Sequence, residues 1–325
     1  MWRFWFLLIG MIVGLIGCAN DQYTPIEREH SILISVNLFD SSLSFYDIES
    51  EREVAVWKFP YEITGAEIFA DGKKLLTYGK DHEFAYVYDL ENGKQIERWK
   101  LGEGIVDFKL SNDGEHFYIV DQPTNVVRIT NLEGEELTRI KTGSSPMAIE
   151  ESKSHFLYVL HLNSPEIYEI DILKENVSRV LPAKHAATGM ILLEDEEELW
   201  FGGHGLGNDI RDEITVLSLG SGEVIEEIKA PMMPIAFSYI DDSIYVLSHG
   251  SNTLRKIDIS TKEILNEITV GANPFTVISI ENMLYIASYD SNEIYVIDSN
   301  SMTEVLRMDT GDGPFQLLYR EGETR

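Results

Sequence analysis

Apolar and polar positions alternate along this chain in short bursts. About six residues rich in Val, Ile, Tyr and Phe give way to a few of Ser, Asn, Asp and Gly. The cleanest stretch is Pro274-Phe275-Thr276-Val277-Ile278-Ser279, a turn at Glu281-Asn282, Met283-Leu284-Tyr285-Ile286-Ala287-Ser288, a loop Tyr289-Asp290-Ser291-Asn292, Glu293-Ile294-Tyr295-Val296-Ile297-Asp298, a turn Ser299-Asn300-Ser301, and Thr303-Glu304-Val305-Leu306-Arg307-Met308. β-Branched and aromatic runs bounded by turn formers predict four antiparallel strands. Upstream, Asp71-Gly72 and Asp113-Gly114 mark the first hairpin of their units, a strong turn signal. Thr142-Gly143-Ser144-Ser145-Pro146, Val270-Gly271-Ala272-Asn273-Pro274 and Thr310-Gly311-Asp312-Gly313-Pro314 mark crossings between units. There glycine is expected to supply a permissive backbone, and proline to open an innermost strand where its missing N–H is tolerated.

The unit repeats seven times. Its landmarks are Asp47, Asp89, Asn131, Asp171, Ser218, Asp258 and Asp298, spaced by 42, 42, 40, 47, 40 and 40 residues. A period of roughly 40–45 residues is that of a four-stranded propeller blade. The array opens at Ile32, in the second strand of a unit, and ends with Pro314-Phe315-Gln316-Leu317-Leu318-Tyr319, a first strand. One C-terminal strand joining three N-terminal strands would close seven blades and remove exposed sheet edges. The expected fold is therefore all-β: a seven-bladed β-propeller forming one domain over residues 31–325.

The units Phe156-Leu157-Tyr158-Val159-Leu160-His161, Ser243-Ile244-Tyr245-Val246-Leu247-Ser248-His249-Gly250-Ser251-Asn252 and Met283-Leu284-Tyr285-Ile286-Ala287-Ser288 resemble the YVTN-type β-propeller repeat. In that family a Tyr-Val-Thr-Asn-like strand end precedes a Gly-Ser-Asn loop, a Val-Ile-Asp strand and Gly-x-x-Pro. The resemblance spans about residues 31–320 and is closest in units six and seven. The Thr-Asn half of the signature is replaced in every copy, and the Gly-His and Trp-Asp marks of WD-repeat blades are absent.

The N-terminus carries one early charge, Arg3, then fourteen apolar residues, 4–17, then Cys18. This is a secretory leader pattern, too short for a spanning helix of roughly 20 residues. Leu15-Ile16-Gly17-Cys18 looks like the bacterial lipobox, in which the cysteine is lipidated. Cys18 is the only cysteine, and an unpaired thiol in an exported chain calls for such an explanation. The reading divides the chain into a leader at 1–17, lipidated Cys18 with a flexible tether to residue 30, and the propeller. The expected address is the extracytoplasmic face of a bacterial cell membrane.

Formal net charge is −29. So much acid disfavours nucleic acid and anionic headgroups as partners, because both need cationic neutralisation.

In a propeller, the loops after the second strands gather with the blade crossings on one face. His204 and His249 align there, His161 lies one step earlier in its copy, and Asp121 and Tyr289 occupy comparable places. These five are the candidate ligand-binding residues. Imidazoles facing a carboxylate would suit a transition metal, whereas loop residues bonded locally would hold none. No metal site is assigned.

The 47-residue interval carries the longest irregular loop, residues 202–213, read as a flexible insertion. Glu194-Asp195-Glu196-Glu197-Glu198 is expected at a solvated hairpin tip on the opposite face. Trp57 and Trp99, each ten positions after a landmark, are expected to pack between blades.

No nucleophile elbow, zinc-protease helix, EF-hand loop or heme-attachment pair occurs. Such sites on a propeller would draw single residues from several blades, so a missing motif leaves catalysis open. The expected function is a membrane-anchored binding or scaffold module engaging a protein, peptide or envelope ligand. The alternative is a propeller enzyme of lactonase or quinoprotein-dehydrogenase type, and no cofactor is named.

Overall fold

The computed structural model describes residues 22–323. The leader and Cys18 lie outside the described residues. Seven four-stranded antiparallel sheets form the blades of a propeller. Blade 7 shows how pattern becomes strand. Its members, from the channel outward, are Pro274–Ile280, Met283–Ser288, Glu293–Asp298 and Thr303–Asp309. The second and third strands are buried almost throughout, because sheets pack against both their faces. The outermost strand is mostly exposed. That is why the inner runs read as nearly continuous apolar sequence.

Blade 1 is completed across the chain ends. Pro314–Arg320 pairs antiparallel with Ile32–Asn37, followed outward by Ser42–Asp47 and Arg52–Lys58. Blades 2 to 6 have the innermost strands Gly65–Ile68, Ile105–Leu110, Pro146–Glu151, Ala187–Leu193 and Pro234–Ile240.

The core lies between neighbouring blades. Trp57 of blade 1 is fully buried and meets Tyr88 of blade 2 at 5.8 Å between ring centroids. Trp99 of blade 2 meets Phe117 of blade 3 at the same separation. Each tryptophan is thus an inter-blade filler.

Two features differ from expectation. Residues 22–30 form a docked strap instead of a free tether. The Tyr23 N–H donates to the Gly93 carbonyl at 2.7 Å, and the Ile26 N–H to the Leu90 carbonyl at 2.8 Å. Tyr23 stacks on Trp57 at 4.9 Å, Trp57 Nε1 donates to the Thr24 carbonyl at 2.9 Å, and Ile26 is 1% exposed. Arg28 pairs with Glu91 at 2.9 Å and also with Glu323. Among the described residues, the folded body therefore includes 22–30. The strap has no periodicity because its backbone bonds and single side chains each meet a separate partner.

The second difference concerns the crossings. The left-handed residue is the one directly before proline: Ser145, Met233, Asn273 or Gly313, with φ of 56°, 59°, 57° and 70°. Gly271 and Gly311 are there for close packing. A Cβ on Gly271 would collide with Tyr295 and Ser288, and one on Gly311 with Asn37 and Ser42.

The ring has two faces. Turns joining first to second and third to fourth strands make the turn face. Loops after second strands, together with the crossings, make the loop face.

Candidate functional site

The loop face begins with a backbone irregularity. In blades 1, 3, 4, 5, 6 and 7 the innermost strand slips register by one residue just after it enters from the crossing. A bulge leaves its extra residue unpaired and re-aims the side chain. In blades 7 and 1 that residue is Phe275 or Phe315, and the two rings meet at 5.0 Å.

Around them runs a row of rings across four blades. His204 meets His249 at 5.3 Å, His249 meets Phe275 at 4.3 Å, Phe275 meets Tyr289 at 5.2 Å, and Tyr289 meets Phe39 at 4.7 Å. Phe39 is 67% exposed. Burial, then the neighbouring His249, lower the pKa of His204, and burial lowers that of His249. Both rings are therefore neutral at pH 7, which favours their edge-on contact.

Three of the five predicted residues, His204, His249 and Tyr289, belong to this row. His161 and Asp121 do not. They end the second strands of their blades, one position before the row, and strand alternation sends them inward. His161 is fully buried: its Nε2 accepts from the Gly143 N–H at 2.9 Å, and its Nδ1–H donates to the Glu166 carbonyl at 2.9 Å. Asp121, 1% exposed, pairs with Arg128, whose Nη1 donates to the Leu101 carbonyl at 2.8 Å. Ser248 in blade 6 does the same work, donating to the Ala230 carbonyl at 3.1 Å and accepting from Arg255 at 2.6 Å. These latches fasten the second strands of blades 3, 4 and 6 to the preceding crossings. Among the described residues no three His, Cys, Asp or Glu side chains are grouped to hold a metal.

The insertion at 202–213 is a small hairpin, Gly205–Leu206 paired with Asp209–Ile210. Arg211 lies beneath it, 8% exposed, donating to the His185 carbonyl at 3.2 Å. Exposed Leu206 and Ile210 extend the apolar character of the loop face.

The turn face is different. Between blades 4 and 7 it holds a concavity of about 1100 Å³ whose rim carries Glu151, Glu194, Asp195, Glu196, Asp241 and Asp242. The acidic tip is residues 194–197. Glu198 instead starts a strand, 9% exposed, accepting from Trp200 Nε1 at 2.8 Å and Lys262 Nζ at 2.5 Å.

Inside the channel, Glu67, Asp107, Lys109 and Glu150 come together from the innermost strands of blades 2, 3 and 4. Burial, then Asp107, push Glu67 up to about 8. Burial pushes Asp107 up to about 7, with Lys109 opposing. Lys109 bonds Glu150 at 2.5 Å and stays charged, because the surrounding carboxylates outweigh its desolvation. Both raised carboxyls also accept backbone N–H bonds across blades, Glu67 from Leu110 and Asp107 from Ile149. Gln316 does likewise for Ala66, donating to its carbonyl at 3.1 Å and accepting its N–H at 2.9 Å. Channel-edge backbone groups need such partners.

Sequence reasoning missed this cluster, since its members are single residues about 40 positions apart. It also missed Phe275 and Phe315, although the repeated Pro274-Phe275 and Pro314-Phe315 pairs were a usable signal.

No known family profile matches the chain. Serine-threonine kinase receptor-associated protein of Dictyostelium discoideum is 29% identical over 116 residues, 35% of this chain and 39% of that protein. The chain thus matches about two-fifths of that relative's length. Among solved structures, Kuenenia stuttgartiensis hydrazine synthase superposes with a TM-score of 0.73 at 16% identity, covering 90% of this chain and 99% of that one. A protein of unknown function from Desulfotomaculum acetoxidans gives 0.73 at 11% identity with the same coverage. Dihydro-heme d1 dehydrogenase NirN gives 0.69 at 13%, covering 91% of this chain and 77% of that one. At such identities the likeness shows the propeller fold alone.

Proposed function

We propose that this chain is a lipid-anchored, extracytoplasmic propeller of a bacterial envelope that binds a protein, peptide or envelope ligand on its loop face. The observation that carries the binding reading is the ring row from His204 to Phe39. Rigid aromatic side chains offer large contact area at small entropic cost, which is why they dominate recognition surfaces. The apolar leader ending in Leu15-Ile16-Gly17-Cys18 supports the anchor. The YVTN resemblance fits a scaffold whose loops bind.

The test has two arms. Cys18→Ser should shift the protein from the membrane to the soluble fraction. Pull-down from solubilised membranes, with mass spectrometry, should recover a partner that Phe275→Ala with Tyr289→Ala loses. Equal recovery by both proteins would sink the loop-face reading.

An enzyme is the second reading, and one observation favours it. Inside the channel, burial pushes Glu67 up to about 8, so its carboxyl is mostly protonated at pH 7, the state a general acid needs. Turnover of a lactone panel by purified protein, abolished in Glu67→Gln, would establish it. Hydrazine synthase and NirN share the fold, but fold does not carry activity.

A further inference from the structure

We propose that the strap at residues 22–30 sets how the ring meets the bilayer, placing the blade 2 side of the turn face next to lipid and directing the aromatic loop face away from it. This rests on lipidation of Cys18.

The strap is fastened at its very start. Gln22 bridges Lys94 and its Nε2 donates to the Asn92 carbonyl at 3.1 Å. Asn92 and Gly93 form the outer turn of blade 2, on the turn face. Three residues, four Cα steps, separate Cys18 from Gln22, a reach of at most about 14 Å even fully extended. The strands of a blade stand about 20 Å tall. A lipid on Cys18 therefore leaves the ring from the turn-face side of blade 2.

Exposed Lys73 and Lys94 stand at the turn-face end of blade 2 beside the strap, with Asp71 and Glu91 among them. The carboxylates around the concavity lie on blades 4 to 6, across the ring, and an anionic leaflet repels them. Anchor position, helped by this repulsion, tips blade 2 toward the membrane and the acidic concavity away.

The test uses full-length lipidated protein in vesicles of phosphatidylethanolamine and phosphatidylglycerol. Lipid consumes Cys18, so an added cysteine is the only thiol to label. Fluorophores at Lys73→Cys and Lys94→Cys should be quenched by a lipid-borne quencher several-fold more than one at Leu206→Cys. Asp290→Cys serves as a second loop-face reporter should the Leu206 variant fail to fold. Inserting about fifteen Gly/Ser residues after Ala19 lets the ring tumble and should erase the difference.

Equal quenching at all positions without the insertion, or stronger quenching on the loop face, would overturn the proposal while leaving the anchor intact. Protein that does not associate with vesicles or cell membranes would overturn the anchor reading, and this proposal with it.

Discussion

The loop face and the turn face grow from the same seven-fold repeat and end as opposite surfaces. On the loop face, bulges and second-strand ends bring rings from four blades into contact, from His204 to Phe39. On the turn face, tight hairpins around the concavity carry mostly carboxylates, with Lys153 among them. Hairpin tips are constrained only by turn chemistry and solvation, so charge accumulates freely there. The loop face is constrained by latches beneath it, so a one-residue offset decides whether a side chain is structural or presented. His161 and His204 illustrate the point.

The largest effect should come from the element on which both faces stand. Removing Pro314 through Arg325 takes away the strand that closes blade 1, exposing the edge of Ile32–Asn37. The expected product aggregates and shows no cooperative melt; a monomeric, sharply melting truncation would refute ring closure as the source of stability.

Next comes the strap. Ile26→Ala should cost about 2–5 kcal/mol in urea unfolding, as for other fully buried aliphatic truncations. Phe39→Ala, on the opposite face, should stay within about 0.5 kcal/mol. Similar losses for the two would erase the distinction between a docked strap and a presented ring.

The channel cluster and the loop face should also respond to pH with opposite signs. Glu67 and Asp107 are raised from ordinary values of 4.5 and 3.8 to about 8 and about 7. The folded protein holds these protons more tightly than the unfolded chain, so stability falls as pH climbs from about 4 through about 8. Glu67→Gln keeps an acceptor for the Leu110 N–H and should flatten the alkaline limb of Tm against pH by a few degrees. His204 and His249 are lowered below 6.5, so the unfolded chain takes up protons first. Stability present above 6.5 is lost as pH falls. His204→Ala with His249→Ala should soften the acid limb and leave the alkaline one alone. An unchanged profile in either variant would remove that group from the account.

The smallest contrast is the sharpest. His161→Ala leaves the part-buried Gly143 N–H without its acceptor and empties a fully buried site, and should cost about 1–3 kcal/mol. His204→Ala, at a partly exposed row position, should cost little by itself. The reverse order, read from chemical denaturation, would show that latch and row have been exchanged.

Much of this was legible beforehand. Blade 7 lies where its apolar runs predicted, to within a residue at each end, and the split blade followed from a chain opening on a second strand and closing on a first. Trp57 and Trp99 were placed correctly as fillers. Strap docking was hidden, because Tyr23, Ile26 and Arg28 each find a different partner far away in sequence. His161 was grouped with His204 despite lying one step earlier in its copy, and the pleat turns that one-residue offset into opposite directions.

By itself, then, the order of residues determined the number of blades, their strands and the seam between the chain ends, since each depends on local periodicity repeated at one interval. Only tertiary structure decided which rings touch, which carboxyls share the channel and where residues 22–30 lie. Those facts depend on separations between blades, and a linear pattern carries no information about distances across a closed ring.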